Sequence, residues 1–255
     1  MLTPFLWMVS DSLKSDVGAH RIPPTLIPHH VHWSNYPEAL HMMGFSQALA
    51  NTVFITFFCV LGQIVSSSLV GFGFARFRFR GRNALFVLML STMMLPPQVT
   101  MIPVFLLFRS AGWIDTFLPL IIPAWIGSPF FVFMFRQFFA QIPEQLIEAA
   151  RIDGAGYLAI YWRIMMPLSL PVIALVAIYT FMTTWNDFMN PLIYLNSQSN
   201  QTLALALNAF NGQYGTEHAN LLMAASFVTM LPPIILFFAA QKYFVNSVAM
   251  TGMKT

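Results

Sequence analysis

Five times along this 255-residue chain the sequence stays apolar for about 20 residues, the length of helix that crosses the hydrocarbon core of a bilayer. The runs are Thr52 to Ala75, Ala84 to Phe108, Phe117 to Phe135, Val172 to Leu195 and Asn220 to Ala240. Only Gln63 and small serines interrupt the first of them. A further apolar stretch, Met1 to Val9, is about half a span long; it reads as the end of a first span whose beginning is missing here, in preference to a segment that only dips into the interface. Charged residues make up 8% of the chain and hydrophobic ones 57%. Soluble domains carry about 25% charged residues because their surface must be hydrated, so this chain needs lipid around it. The expected fold is all-α, a polytopic membrane helix bundle with six spans, the first truncated. The expected organisation is a span remnant at 1–9, an external segment at 10–50, a transmembrane domain at 51–245 and a tail at 246–255.

The net charge of +3 does not point to nucleic acid, because the basic residues fall in short segments between the apolar runs. The single Cys59 lies inside a span, which excludes an intrachain disulfide. Of the six histidines, His20, His29, His30, His32 and His41 share one polar stretch without regular helical spacing, and His218 stands apart, so no metal site is expected. The first apolar stretch is too short and lacks the basic start of a secretory leader. Prolines recur inside the spans, at Pro96, Pro97, Pro103, Pro119, Pro123, Pro129, Pro191, Pro232 and Pro233. In a membrane such breaks persist where neighbouring helices or a water-filled cavity satisfy the freed backbone groups, and together they suit a transporter better than an anchor.

Lys and Arg concentrate in cytoplasmic loops. If the end of the Thr52–Ala75 run is inside, nine of the twelve basic residues are inside: Arg76, Arg78, Arg80, Arg82, Arg136, Arg151, Arg163, Lys242 and Lys254. Lys14, Arg21 and Arg109 are then outside, and the reverse topology would invert the bias. This orientation makes residues 137–170 a long cytoplasmic loop and the C-terminus cytoplasmic.

That loop reads as two amphipathic helices. Pro143 suits the first helical position and Glu144 the first turn, where the helix dipole favours an acid. The helix stops at Asp153-Gly154. A second runs from about Tyr157 to Met166 and ends at Pro167, with Pro171 beyond. The pattern Glu148-Ala149-Ala150, three residues, Gly154, nine residues, Ile164, one residue, Met166-Pro167 resembles the EAA loop of ABC importer permeases, with Met166 in place of Leu. Ile142-Pro143-Glu144 and Asp153-Gly154-Ala155 around it resemble the maltose-type carbohydrate permeases in particular. So do Asn51-Thr52, Phe79-Arg80-Gly81-Arg82, Trp185-Asn186-Asp187-Phe188 and Gln241-Lys242-Tyr243-Phe244-Val245. Ser247 and Thr255 depart from the family, which has Gly at both places.

The resemblance implies that Glu148, Ala149, Ala150, Asp153, Gly154, Ala155, Ile164 and Pro167 form a coupling element that docks on a separate ATPase subunit. It also implies a homologous permease partner, two cytoplasmic ATPase subunits and an extracytoplasmic solute-binding protein. ATP and Mg would be bound by the ATPase, since this chain has no phosphate-binding Gly-rich loop and no cofactor of its own. No nucleophile–base constellation is present, so the chain is expected not to be an enzyme. The expected cargo is a sugar or oligosaccharide, with glycerol phosphate or a polyol as the alternative. An ion-coupled secondary transporter is the rival of another class; it would need more buried ionisable groups than Asp187, the only acid well inside a span. For the solute path the candidates are Trp185, Asn186, Asp187 and Asn190, where an indole beside amides and a carboxylate suits a sugar. Such residues also serve simply to bind neighbouring helices.

Overall fold

The computed structural model describes the backbone at 3–215 and 217–252 and the side chains at 3–215 and 217–239. The side chains of Gln241 to Val245, Lys254 and the departures at Ser247 and Thr255 therefore lie outside the described residues. Every regular element described is helical. In order they are α1 (Thr3–Ser12), α2 (Asp16–Ala19), α3 (Asn35–Met42), α4 (Phe45–Arg76), α5 (Arg82–Ser91), α6 (Pro97–Ser110) and α7 (Leu118–Ile126). Then come α8 (Pro129–Gln141), α9 (Glu144–Ile152), α10 (Tyr157–Ile160), α11 (Met166–Leu168), α12 (Leu170–Trp185), α13 (Met189–Tyr194), α14 (Leu203–Tyr214) and α15 (Ala219–Gly252).

Three helical stretches are long and apolar enough to cross a membrane: Phe45–Arg76, Leu118–Gln141 and Ala219–Ala239. Two bent pairs bring the number to five if each is one span: Arg82–Met94 with Pro97–Ser110, bent by 98°, and Tyr157–Leu168 with Leu170–Trp185, bent by 76°. The first bend lies at Pro96-Pro97, inside the run expected as one span from Ala84 to Phe108. Pro97 cannot donate a backbone bond, and a residue followed by proline is pushed into extended backbone; Leu95 has φ −79 and ψ 117. The run expected from Val172 to Leu195 is also not one helix, since α12 ends at Trp185 and α13 begins at Met189.

The chain forms two compact units, Met1–Phe54 with Trp185–Phe238 and Ile55–Thr184 with Ala239–Thr255. The first is held by polar bonds as much as by apolar packing. Lys14 is buried, with Nζ 2.6 Å from Asp11 Oδ1 and a second bond to the Thr25 carbonyl. Asn35 Nδ2 donates to the carbonyls of Ser12 and Lys14 at 2.8 and 2.7 Å, and Phe227 receives the rings of Phe5 and Tyr36. Asn51 and Thr52 pin the turn before α14. Asn51 Nδ2 donates to the Ser199 and Gln201 carbonyls at 2.8 and 2.9 Å, and Leu203 N–H donates to Thr52 Oγ1 at 2.8 Å. The helix α14 lies between the apolar runs that end at Leu195 and begin at Asn220.

The second unit is centred on an aromatic core of Phe72, Phe131, Phe135, Phe139 and Tyr161, closed by Ile147, Ile160, Met165 and Val176. Small residues on α4 let other helices approach. A Cβ at Gly71 would lie 2.7 Å from Phe135 Cβ and 3.1 Å from the Arg136 backbone N, and one at Gly62 would lie 2.5 Å from the Trp125 ring. Between α7 and α8 the chain breaks at Gly127 (φ +88) and Ser128. A break inside a span leaves backbone groups that lipid cannot satisfy. Polar residues of α4 supply the partners: Ser66 Oγ donates to the Ala124 carbonyl at 3.2 Å and Ser67 Oγ accepts from Ser128 N–H at 3.3 Å. With its amide turned to satisfy both ends, Gln63 donates to the Ala124 carbonyl at 3.0 Å and accepts from Ser128 N–H at 2.7 Å. Gln63, the one large polar interruption of its run, thus holds a discontinuous neighbour together.

Candidate coupling elbow and solute path

The loop at 137–170 folds as a helical elbow. Its first limb is α9, with Pro143 just before the helix and Glu144 in the first turn. The limb ends in a paired turn: Ala155 N–H donates to the Ala150 carbonyl at 2.9 Å and Gly154 N–H to the Arg151 carbonyl at 3.0 Å. This closure needs a residue in left-handed backbone, and Gly154 supplies it with φ +81. The second limb is continuous from Tyr157 to Leu168, with a π turn at Tyr161–Met165 between α10 and α11. Pro167 sits just beyond that turn, and with no N–H and a ring that crowds the preceding turn it favours the widened helix. This limb runs one residue past Pro167, the expected end. Arg151 joins the limbs, its guanidinium 5.0 Å from the Tyr157 ring centre and Nη2 3.3 Å from the phenol oxygen.

One side of the elbow is built into the bundle. Ile147, Ile160, Tyr161 and Met165 are buried against Phe72, Phe139 and Val176, and Ala150 and Ala155 pack half-buried beside them. Each large apolar side chain so buried contributes about 1.5–3 kcal/mol. Two polar ties join the limbs to α4. The Tyr161 phenol is 2.6 Å from the Ser68 hydroxyl. Arg76, the last residue of α4, donates from Nη2 to the Phe139 carbonyl and, at 2.6 Å, to that of Ile142, while Nη1 reaches Glu144 Oε2 at 2.7 Å. Its side chain is only 8% exposed, against 57% for Glu144.

The other side is open. Glu148, Ala149, Asp153 and Gly154 are exposed, and Glu148 makes no ion pair among the described residues. Around them stand exposed apolar side chains, with Ile152 87% exposed and Leu146, Leu158 and Trp162 also open. Ile164 is half-buried and Pro167 exposed. Clustered exposed apolar side chains of this kind are typical of surfaces that another protein covers.

The four solute-path candidates fall at the break between α12 and α13. Trp185 is buried at 4% exposure, its indole N–H donating to the Thr229 carbonyl at 3.3 Å. Asp187 is half-buried in the turn, where Oδ1 accepts from Asn190 N–H at 3.2 Å and Oδ2 from Asn190 Nδ2 at 2.7 Å. Asn186 and Asn190 are exposed. Two further polar residues stand out on α12 itself. Tyr179 is 53% exposed and Thr183, one turn on, is exposed too. The Tyr179 ring lies 6.3 Å from Phe130 and 5.6 Å from Phe131. Their spacing of four residues in an apolar run was the available sequence signal, and reading only the charged and amide residues passes over it.

Elsewhere, Asp16 lies 3.6 Å from His20 and 3.4 Å from His218, and His29 is 3.2 Å from Arg21. Among the described residues no three His, Cys, Asp or Glu side chains converge as metal ligands.

Residues 63–250 match the family model described as binding-protein-dependent transport system inner membrane component. The melibiose/raffinose/stachyose import permease protein MelC of Bacillus subtilis is 34% identical over 255 residues, covering 98% of this chain and 91% of MelC. The sn-glycerol-3-phosphate transport system permease protein UgpE of Yersinia enterocolitica is 32% identical over 238 residues, covering 91% of this chain and 84% of UgpE. Among solved structures, a chain of a bacterial ABC transporter involved in the import of the acidic polysaccharide alginate superposes with a TM-score of 0.85. It is 26% identical, over 95% of this chain and 90% of that one.

Proposed function

Since the chain belongs to the family of binding-protein-dependent transport system inner membrane components, we propose that it carries a neutral sugar or oligosaccharide inward, driven by ATP hydrolysis in partner subunits. It is a multi-pass permease of the bacterial inner membrane and a component of an ABC importer, a transport protein and not an enzyme. In the proposed assembly a homologous permease completes the pore, two cytoplasmic ATPase subunits hold ATP and Mg, and an extracytoplasmic binding protein delivers the solute. The C-terminus is cytoplasmic.

The observation that carries the reading is the two-sided elbow. Ile147, Ile160 and Tyr161 anchor it in the bundle, while Ile152, Leu158 and Trp162 stand exposed beside Glu148, Ala149 and Gly154. An ATPase groove would cover that open face, with a partner Arg or Lys opposite Glu148. Closure of the ATPase pair then moves the elbows, and the spans rock between outward and inward openings. For the solute, the exposed Tyr179 and Thr183 lie in the second half of α12, in a membrane helix where polar side chains avoid lipid; they line the path. A tyrosine flanked by phenylalanines offers a sugar both a stacking face and a hydroxyl.

A glycerol phosphate cargo, raised by the likeness to UgpE, would want a cation in the path. Arg76 and Arg109 lie in the last turns of their helices and Arg82 in a first turn, while Arg136 is stacked 4.0 Å from the Phe86 ring centre. That distribution favours the neutral solute. Purifying the complex from native membranes, identifying its subunits and assaying vanadate-sensitive uptake of sugars and of glycerol phosphate tests the reading. A complex without an ATPase subunit, or labelling that puts Gly154 on the outer face, would overturn it.

A further inference from the structure

We infer that the inner half of α4 is the lever through which the elbow drives the bundle, with Arg76 and the Ser68–Tyr161 pair as its two positioning ties. The inference rests on the proposed docking of the elbow to an ATPase. Apolar packing alone lets a helix slide or swivel, because dispersion contacts have no direction. Directed bonds fix it. Tyr161 in the second limb is 2.6 Å from Ser68 on α4, and both side chains are buried. Eight residues further along α4, Arg76 reaches Glu144 in the first limb at 2.7 Å and the Ile142 carbonyl just before it at 2.6 Å. The two ties are thus about 12 Å apart along the helix axis at 1.5 Å per residue, one to each limb. Two separated attachments on one rod transmit a torque that a single one cannot.

Arg76 is costly as mere packing. Its side chain is 8% exposed, its one carboxylate partner is mostly open to solvent, and Nε has no partner among the described residues. A buried guanidinium held this way contributes little net stability against its desolvation. It does give geometry. One planar group reads the last carbonyls of α8, the start of α9 and the end of α4 at once, a role for which Lys has the wrong shape. The motion then passes along α4 to the partners it grips through Gly71 and Gly62.

The test uses the whole importer in proteoliposomes, with wild type, Arg76→Gln, Arg76→Lys and Tyr161→Phe. The readouts are ATP hydrolysed per solute imported and crosslinking of the elbow, through Asp153→Cys, to the ATPase. The expected result is unchanged crosslinking with about a fivefold or greater rise in ATP per solute for Arg76→Gln, the scale of ordinary coupling energies. Arg76→Lys should fall between wild type and Arg76→Gln. Tyr161→Phe removes one oxygen and keeps the ring, so it serves if Arg76→Gln fails to fold, and it should raise the ratio as well. A wild-type ratio in the folded variants overturns the inference, as does loss of the crosslink in Arg76→Gln, which would make Arg76 a docking residue. Absence of the crosslink in the wild-type background overturns the elbow reading itself.

Discussion

The Tyr161 phenol oxygen lies 2.6 Å from Ser68 Oγ, and both side chains are fully buried although 93 residues of sequence separate them. This contact joins the second limb of the elbow to a membrane helix. The ring also packs on Phe72, with centroids 5.4 Å apart. Replacing Tyr161 with Phe should cost about 1 kcal/mol, the net worth of one hydrogen bond, and with Ala about 3–5 kcal/mol for the cavity. Thermal unfolding of the purified complex in detergent would report both, and equal losses would mean the hydroxyl and ring are not separate contributors.

Glu148 is exposed and makes no ion pair among the described residues. Its reversal in Glu148→Lys should therefore leave the permease inserted and as stable as wild type, while uptake in proteoliposomes falls and ATP hydrolysis no longer follows solute. Normal uptake by that variant would remove Glu148 from the docking surface.

Gly154 and Gly156 offer a matched pair. Neither would bring an added Cβ within 4 Å of another group, but only Gly154 has left-handed backbone, φ +81. Gly154→Ala should cost about 1 kcal/mol and loosen the turn, whereas Gly156→Ala should be close to neutral. Proteolysis of the elbow in the purified complex is the measurement, with faster cleavage expected for Gly154→Ala alone.

On α4 the two close approaches should rank differently. A Cβ at Gly62 meets the side chain of Trp125, which can yield at the protein surface, while one at Gly71 meets the Phe135 Cβ and the Arg136 backbone N. Gly71→Ala should therefore destabilise by more than Gly62→Ala, within the roughly 1–3 kcal/mol typical of overpacking. Denaturation midpoints of the two variants decide the order.

For the solute path, Tyr179→Ala and Thr183→Val should weaken the half-maximal solute concentration for stimulated ATP hydrolysis without lowering stability, because neither side chain is buried. Trp185→Ala should do the opposite, costing about 3–5 kcal/mol because the ring is buried and its N–H is bonded to Thr229. Asp187→Ala separates the roles of the turn: an unchanged concentration dependence would leave Asp187 as a partner of Asn190 only.

What could be read from the residues was whatever depends on local pattern. Three of the five apolar runs correspond to the three long helices and a fourth to the bent pair over Arg82–Ser110, and the elbow was visible because Pro143, Gly154 and Pro167 each carry a backbone rule of their own. What stayed hidden depends on contact between distant segments. Gln63 looked like an interruption until the broken neighbour at Gly127-Ser128 lay beside it. Asn51 and Thr52 were visible as a likeness but not as clamps on the turn before α14. The apolar run through Leu195 concealed the stop at Trp185, since hydropathy carries no information on where a helix ends. Arg76 counted only as one more positive charge, because charge counting cannot distinguish a solvated arginine from a buried one.

The open face of the elbow also bears on how the subunit is produced. If an ATPase covers this face as proposed, a permease copy made in excess of it leaves Ile152, Leu158 and Trp162 bare to water, the kind of sticky knuckle that chaperones and quality-control proteases recognise. Orphan copies would then be cleared while assembled ones are spared, so the same few side chains proposed to receive the stroke would also keep the subunits in proportion.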